Sequence, residues 1–252
     1  QESAWDENGA GKVYMGVYAP GMGPLTPIIR LWSRILKVGW DLQEDQFINN
    51  YWTLVGYFNS LRELGGAGSL YHEDIVERLS FISDGDTRTL DPERAVELSS
   101  RINSTDIPQL LEDLEQGKNR EHRENPDAIL TTSMFGTGVD IPHLSLMVVN
   151  GQPKTTSQYI QATGRVGREH GALVTVFYRA GRPRDLSHYE LFTGYHNRIN
   201  LSVESASVSP LSQGCLKRGA GPAMVAFLRN MKDSAQSWAP NDGHQVRTEN
   251  AL

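Results

Sequence analysis

Gln161-Ala-Thr-Gly-Arg-Val-Gly-Arg168 decides how the rest of the chain is read. Two glycines within four residues would weaken an ordinary helix by about 1 kcal/mol each, so some other requirement has placed them there. Arginine carries a planar fork that stays charged and binds two phosphate oxygens at once, which the point charge of lysine does not reproduce. Arg165 and Arg168 stand three positions apart, and a glycine before each keeps side chains from crowding the approach to a ligand. The stretch therefore reads as a recognition element for a polyphosphate. Arg165 and Arg168 are its chemical groups, and Gly164 and Gly167 are the backbone that brings them close.

Immediately upstream, Lys154-Thr155-Thr156 supplies short donors in a loop. They can bind phosphate, or Thr156 and Ser157 can cap the helix predicted over 157–165. Downstream, Ala172-Leu-Val-Thr-Val-Phe-Tyr178 is a strand, followed by a helical stretch over 185–200. Ala128–Thr131 and Leu144–Val149 are short apolar runs suited to buried parallel strands. Trp52–Phe58 is a further strand that ends at Asn59-Ser60, and the helical Leu61–Leu64 follows, which Gly65-Gly-Ala-Gly68 is expected to stop. Glu93–Ser100 reads as strand or helix end. Thr105 or Asp106 is the expected N-cap of a helix starting at Ile107, with Pro108 in its first turn. Nearer the start, Val13–Tyr18 alternates like a strand, Pro20–Pro24 interrupts it, and a helical run covers 27–38. Strands and helices alternating at these lengths predict an α/β fold, a parallel β-sheet with helices on both faces.

Composition narrows the function classes. The net charge of −6 argues against a protein that grips nucleic acid with its whole surface. Between residues 151 and 185, however, six basic residues face two acidic ones, a local net of +4 that reads as one anion-binding face. No run of about 18 uncharged apolar residues is present to span a bilayer, and residues 1–11 lack a basic start and apolar stretch, so a cytoplasmic protein is expected. Cys215 is the one cysteine, which rules out an internal disulfide and a cysteine-based zinc cluster; no metal ligands are assigned within the chain.

Taken together, Gln161, Gly164, Arg165, Gly167 and Arg168 resemble motif VI of superfamily 2 helicases. The resemblance implies a second RecA-like domain, in which such arginines reach across a cleft as arginine fingers to a triphosphate bound on a first RecA-like domain. Arg168 is the foremost candidate and Arg165 the second. Thr132-Ser-Met-Phe-Gly-Thr-Gly-Val-Asp-Ile-Pro142 is similar to motif V, which implies that Thr132 holds nucleic-acid phosphate while Gly138 and Asp140 lie by the nucleotide. Thr137 departs from the pattern, since many relatives carry arginine there, and Asp140 can alternatively be a turn residue before Ile141-Pro142. Leu54–Ser60 is similar to motif IV, giving Asn59 and Ser60 either a backbone contact or the role of a plain polar turn. Arg101, with Ser99 and Ser100, sits where the family often places another contact, and Lys154 and Thr155 lie on the same side.

Trp52–Leu64, Gly151–Thr156 and Arg182–Tyr189 look most like helicase subunits of DISARM bacterial anti-phage systems. That likeness implies a DNA substrate, ATP and Mg2+ bound mainly by the first RecA-like domain of the same protein, and a second DISARM subunit as partner. The expected organisation is a lead-in arm over 1–45, the RecA-like domain over 46–200 with an insertion at about 66–95, and a C-terminal helical extension over 201–252. In Arg182-Pro-Arg-Asp-Leu-Ser-His-Tyr189, Asp185 or Ser187 can cap a helix while His188 and Tyr189 pack on the sheet; otherwise Arg182, Arg184 and Tyr189 contact nucleic acid. Gly9-Ala-Gly-Lys12 imitates a phosphate-binding loop, but Val13 stands where Ser or Thr would ligate magnesium. An isolated fragment of this kind is expected to be inactive. An RNA helicase and a non-catalytic nucleic-acid-binding scaffold are the competing readings.

Overall fold

The computed structural model describes residues 11–83, 85, 88–133, 141–205 and 212–230. The chain divides into two compact units, Gln1–Glu204 and Ser205–Leu252. Within the first unit, strands β1 (Lys12–Tyr18), β2 (Leu54–Phe58), β3 (Ala95–Leu98), β4 (Ala128–Thr131), β5 (Leu146–Asn150) and β6 (Ala172–Tyr178) form one sheet in the order β1-β6-β5-β2-β4-β3. Every pairing is parallel. The expected α/β architecture follows from the apolar runs at β2, β4 and β5, in which each residue is buried, because both faces of a parallel sheet must be covered.

Alternation along the strands divides the core in two. Val55, Tyr57, Ile129, Met147, Val149, Val174 and Val176 face one layer, built with α5 (Ile107–Gln116) and α6 (Thr156–Thr163). Leu54, Phe58, Ala128, Leu130, Val148 and Phe177 face the other, built with α1 (Thr26–Asp41), α3 (Leu61–Leu70) and α4 (Val76–Ile82). Gly56 lets the Trp32 ring lie directly on β2, since a Cβ there would stand 2.2 Å from Trp32 Cη2. A short helix α2 (Ile48–Trp52) leads into β2. Beyond β6 come α7 (Pro183–Glu190) and α8 (Phe192–Asn197), so the single helix read over 185–200 is broken at Leu191.

Two stretches read as lying outside the core are built into it. Residues of the expected lead-in arm supply edge strand β1, paired with β6 over its whole length, and helix α1, whose Ile28, Trp32 and Leu36 are buried. Gly65, Gly66 and Gly68 do not stop α3, which runs to Leu70 and passes through a π-helical turn, Tyr71–Ile75, into α4. Burial of Leu64, Ala67, Leu70, Tyr71, Ile75 and Leu79 against the sheet outweighs the weak propensity of the glycines. The remainder of the expected insertion is tied down by charge. Arg88 is buried, donates to Asp127 Oδ1 at 2.6 Å and to the Trp52 carbonyl at 3.1 Å, and lies 3.7 Å over the Trp52 ring.

The second unit contributes α9 (Gln213–Asn230), with Pro222 inside it and Met224 and Phe227 exposed.

Two substitutions test this packing. Gly56→Ala is expected to lower stability by about 2 kcal/mol or more, because neither the backbone nor the buried indole can give way; chemical denaturation checks it. Asp127→Ala strands the Arg88 guanidinium in the interior and should cost about 3–5 kcal/mol, whereas Arg88→Met with Asp127→Leu should recover much of that loss.

Candidate nucleotide and nucleic-acid edges

Because the strands are parallel, all their C-terminal ends lie on one edge of the sheet, and that edge collects six of the predicted residues. Asn59 and Ser60 follow β2, Arg101 follows β3, Thr132 follows β4, and Lys154 and Thr155 follow β5. Their side chains are differently engaged. Asn59 Nδ2 donates to the carbonyls of Asn150 and Gly151 at 3.2 and 3.0 Å, joining two loops of the edge. Ser60 caps α3 by accepting from Glu63 N. Thr155 caps α6 by accepting from Gln158 N, so the cap lies one residue before the two that the sequence singled out. Arg101 Nη2 donates to the Leu61 carbonyl at 3.1 Å, yet about half of its side chain is exposed. Lys154 is exposed, and Thr132 is buried.

Helix α6 starts on this edge and ends on the opposite one, and the arginine stretch is the loop that joins it to β6. Gly164 closes the helix, donating to the Ile160 carbonyl at 2.8 Å, and Arg165 N donates to the Ala162 carbonyl. Gly167 adopts φ +68° and donates to the Leu144 carbonyl at 2.7 Å, while a Cβ on it would lie 2.5 Å from the Ala172 Cβ. Gly167 thus has a local cause, a left-handed turn and a close approach to β6, and Gly164 closes the helix where a Cβ would stand 2.8 Å from the Ile160 carbonyl oxygen. Gln161 and Arg168 are exposed and Arg165 is half-buried. Tyr51 Oη donates to the Gly171 carbonyl at 2.6 Å, and Lys118 pairs with Glu169 at 2.5 Å, which anchors the downstream arm of the loop. Gly138 and Asp140 lie outside the described residues.

The basic stretch over 151–185 does not make one face. β6 separates its arginines, leaving Arg165 and Arg168 before the strand and Arg179, Arg182 and Arg184 after it, at ends about 20 Å apart. The latter three bind the protein itself. Arg182 and Arg179 converge on Glu63, and Arg184 donates to the Pro153 carbonyl. Asp185 is buried in α7 and accepts from Gln152 N at 3.2 Å and Arg179 N at 2.9 Å, fastening the loops after β5 and β6 together. Tyr189 stacks on Tyr18 at 5.0 Å.

Three participants were not predicted. Ser60-Leu-Arg-Glu63 has the spacing of a capping box, a signal that points to Glu63. Glu204 accepts from Thr156 N through both carboxylate oxygens at 2.9 Å, and these backbone bonds hold its carboxyl below the usual glutamate range. Lys12 donates through Nζ to the Thr163 carbonyl at 3.0 Å, at the base of the arginine loop.

Among the described residues, no helix is long and apolar enough to cross a membrane, and no group of three or more His, Cys, Asp or Glu side chains is arranged to hold a metal ion.

Comparison with known proteins agrees with this architecture. Residues 84–170 match the helicase conserved C-terminal domain. The chain is 40% identical over 226 residues to the DISARM protein DrmA of Bacillus paralicheniformis (strain ATCC 9945a / NCIMB 11709 / CD-2), with 86% of this chain and 20% of that protein aligned. It thus spans about a fifth of that relative's length. Among solved structures, the DUF1998 helicase MrfA bound to DNA and AMPPNP superposes with a TM-score of 0.57 at 19% identity, covering 84% of this chain and 26% of the other. The Mycobacterium smegmatis helicase Lhr bound to ssDNA and AMP-PNP gives 0.53 at 18% identity, covering 79% and 23%. Sheet order and the structural likeness give a RecA-like fold, residues 84–170 carry a helicase conserved C-terminal domain, and most of the chain is related in sequence to DrmA.

Proposed function

We propose that this chain is the C-terminal motor domain of an ATP-dependent DNA helicase or translocase acting in bacterial anti-phage defence, inside the cytoplasm. The observation that carries the proposal is the division of labour between the two edges of the sheet. An exposed lysine and a half-exposed arginine stand on the edge where the strands end, and the arginine loop lies where they begin, with α6 running between. Support for DNA as the substrate comes from the DNA-bound MrfA structure and the ssDNA-bound Lhr structure, which share the fold. Support for a defence role comes from the identity to a DISARM protein. A second DISARM subunit and the first RecA-like domain of the same protein are the partners this reading assigns.

ATP, with Mg2+ held mainly by that other domain, supplies the phosphoryl group to be transferred. When the cleft between the domains closes, Arg168 and Arg165 reach the phosphates, and their guanidinium forks stabilise the charge that develops on the transferred group. Gln161, exposed in the last turn of α6, is assigned to the same nucleotide by the motif. The left-handed turn at Gly167 holds the two arginines to one geometry, so little reorganisation is left to the moment of reaction. Gly138 and Asp140 are assigned to the nucleotide by the same motif logic. On the other edge Lys154 and Arg101 bind phosphates of the strand, Thr132 and Thr155 contribute backbone amides, and Asn59 and Ser60 keep the loops in place. Opening of the cleft then moves this edge relative to the strand.

Arg168→Ala in the full-length protein should reduce DNA-stimulated hydrolysis by about 1,000-fold with ATP affinity changed only a few-fold; normal turnover would remove the finger assignment. Lys154→Ala should weaken DNA binding evenly across sequences and lower the salt-dependence slope by about one; an unchanged slope would take Lys154 off the DNA. The isolated chain should hydrolyse ATP negligibly, whatever nucleic acid is added. Stimulation of the full-length enzyme by RNA in preference to DNA would replace the substrate assignment.

A further inference from the structure

The mechanism above leaves unused one cation at the base of the arginine loop. Lys12 opens β1 in register with Ala172, the first residue of β6. Its Nζ reaches from the edge strand to the Thr163 carbonyl, 3.0 Å away in the last turn of α6. Carbonyls of a last turn have no intrahelical donor, and a cation complements the negative end of the helix. Two residues further along the same face of β1, Tyr14 Oη comes within 3.5 Å of Thr163 Oγ1, which itself donates to the Tyr159 carbonyl at 2.9 Å. Lys12 is half-buried, and burial together with the neighbouring Arg168 guanidinium pulls its ammonium below the ordinary lysine pKa.

These contacts close a ring. The chain leaves α6 at Gly164, turns at Gly167 against Ala172, and enters β6, whose partner strand returns through Lys12 to the end of α6. We infer that Lys12 is a positioning residue for the phosphate-facing arginines, clamping the root of their loop from the edge strand so that Arg168 meets the nucleotide in one orientation. The inference rests on the finger reading and adds to it a residue far away in sequence. It concerns orientation rather than affinity, so its signature is a fall in kcat without a matching rise in KM.

The test uses the full-length protein and DNA-stimulated ATP hydrolysis. Lys12→Met is expected to lower kcat about tenfold or more, because small misplacements of a reacting group are costly, while KM for ATP and DNA affinity stay within about twofold and Tm within about 2 °C. Lys12→Arg, which keeps the charge and the reach, should restore most of the rate. Combined with Arg168→Ala, Lys12→Met should add no further loss, as expected of a residue acting through Arg168. Wild-type kcat in Lys12→Met beside an inactive Arg168→Ala overturns this inference alone. So does a loss that tracks a fall in Tm and is not recovered by arginine. Normal turnover in Arg168→Ala overturns the finger reading and this inference with it.

Discussion

Parallel pairing is the constraint from which the rest of the molecule follows. When all strands run one way, every loop that leaves a strand emerges on one edge, and the chain must cross a face of the sheet to begin the next strand. Polar turns after β2, β3, β4 and β5 are thereby gathered together although they are scattered between residues 59 and 155. The connection from β5 to β6 has to recross, and the helix that does so ends in the arginine loop. One element therefore has its first residue among the turns of one edge and its last among the cations of the other, separated by the eight residues of α6, about 12 Å of helix.

Local charge obeys the same geometry. Basic residues that form a continuous cluster in sequence are parted by a strand, and the two halves have different chemistry. Arg179, Arg182 and Arg184 are absorbed by Glu63 and a carbonyl, so they behave as fasteners for the loops around Asp185. The Arg88–Asp127 pair is a fastener of another kind. Its guanidinium is satisfied by a carboxylate, a carbonyl and an aromatic face at once, which is what makes a buried charge tolerable. It ties the segment between α4 and β3 to the strand it passes.

Much of this was legible in the sequence, for identifiable reasons. β2, β4, β5 and β6 are uninterrupted apolar or β-branched runs, and such runs have few alternatives to a buried parallel strand. The arginine loop announced itself through glycines that a helix would not keep. What was misjudged depended on distant partners. Gly65, Gly66 and Gly68 look like a helix stop until the sheet against which α3 packs is known, and Val13–Tyr18, read rightly as a strand, falls in the expected lead-in arm because nothing nearby pairs with it. Arg88 was overlooked because a single charge in a polar stretch gives no sign of its burial, whereas the capping-box spacing that points to Glu63 was not used. Lys12 was set aside because its neighbours imitate a different motif, which says nothing of where its ammonium ends up.

The clamp from β1 has a consequence for how the molecule comes into being. Lys12 and the carbonyl it holds are 151 residues apart in the chain. Closing so long a loop costs only about 0.6 kcal/mol more per doubling of length, but contacts of such separation slow folding, since the entropy is lost before the contact repays it. Within this sheet, β1 must wait for β6 before it has a partner. Until then the arginines hang on a loop with one root unfastened. Anchoring of the arginine loop from the edge strand and completion of the sheet are therefore coupled through the same long-range pairing.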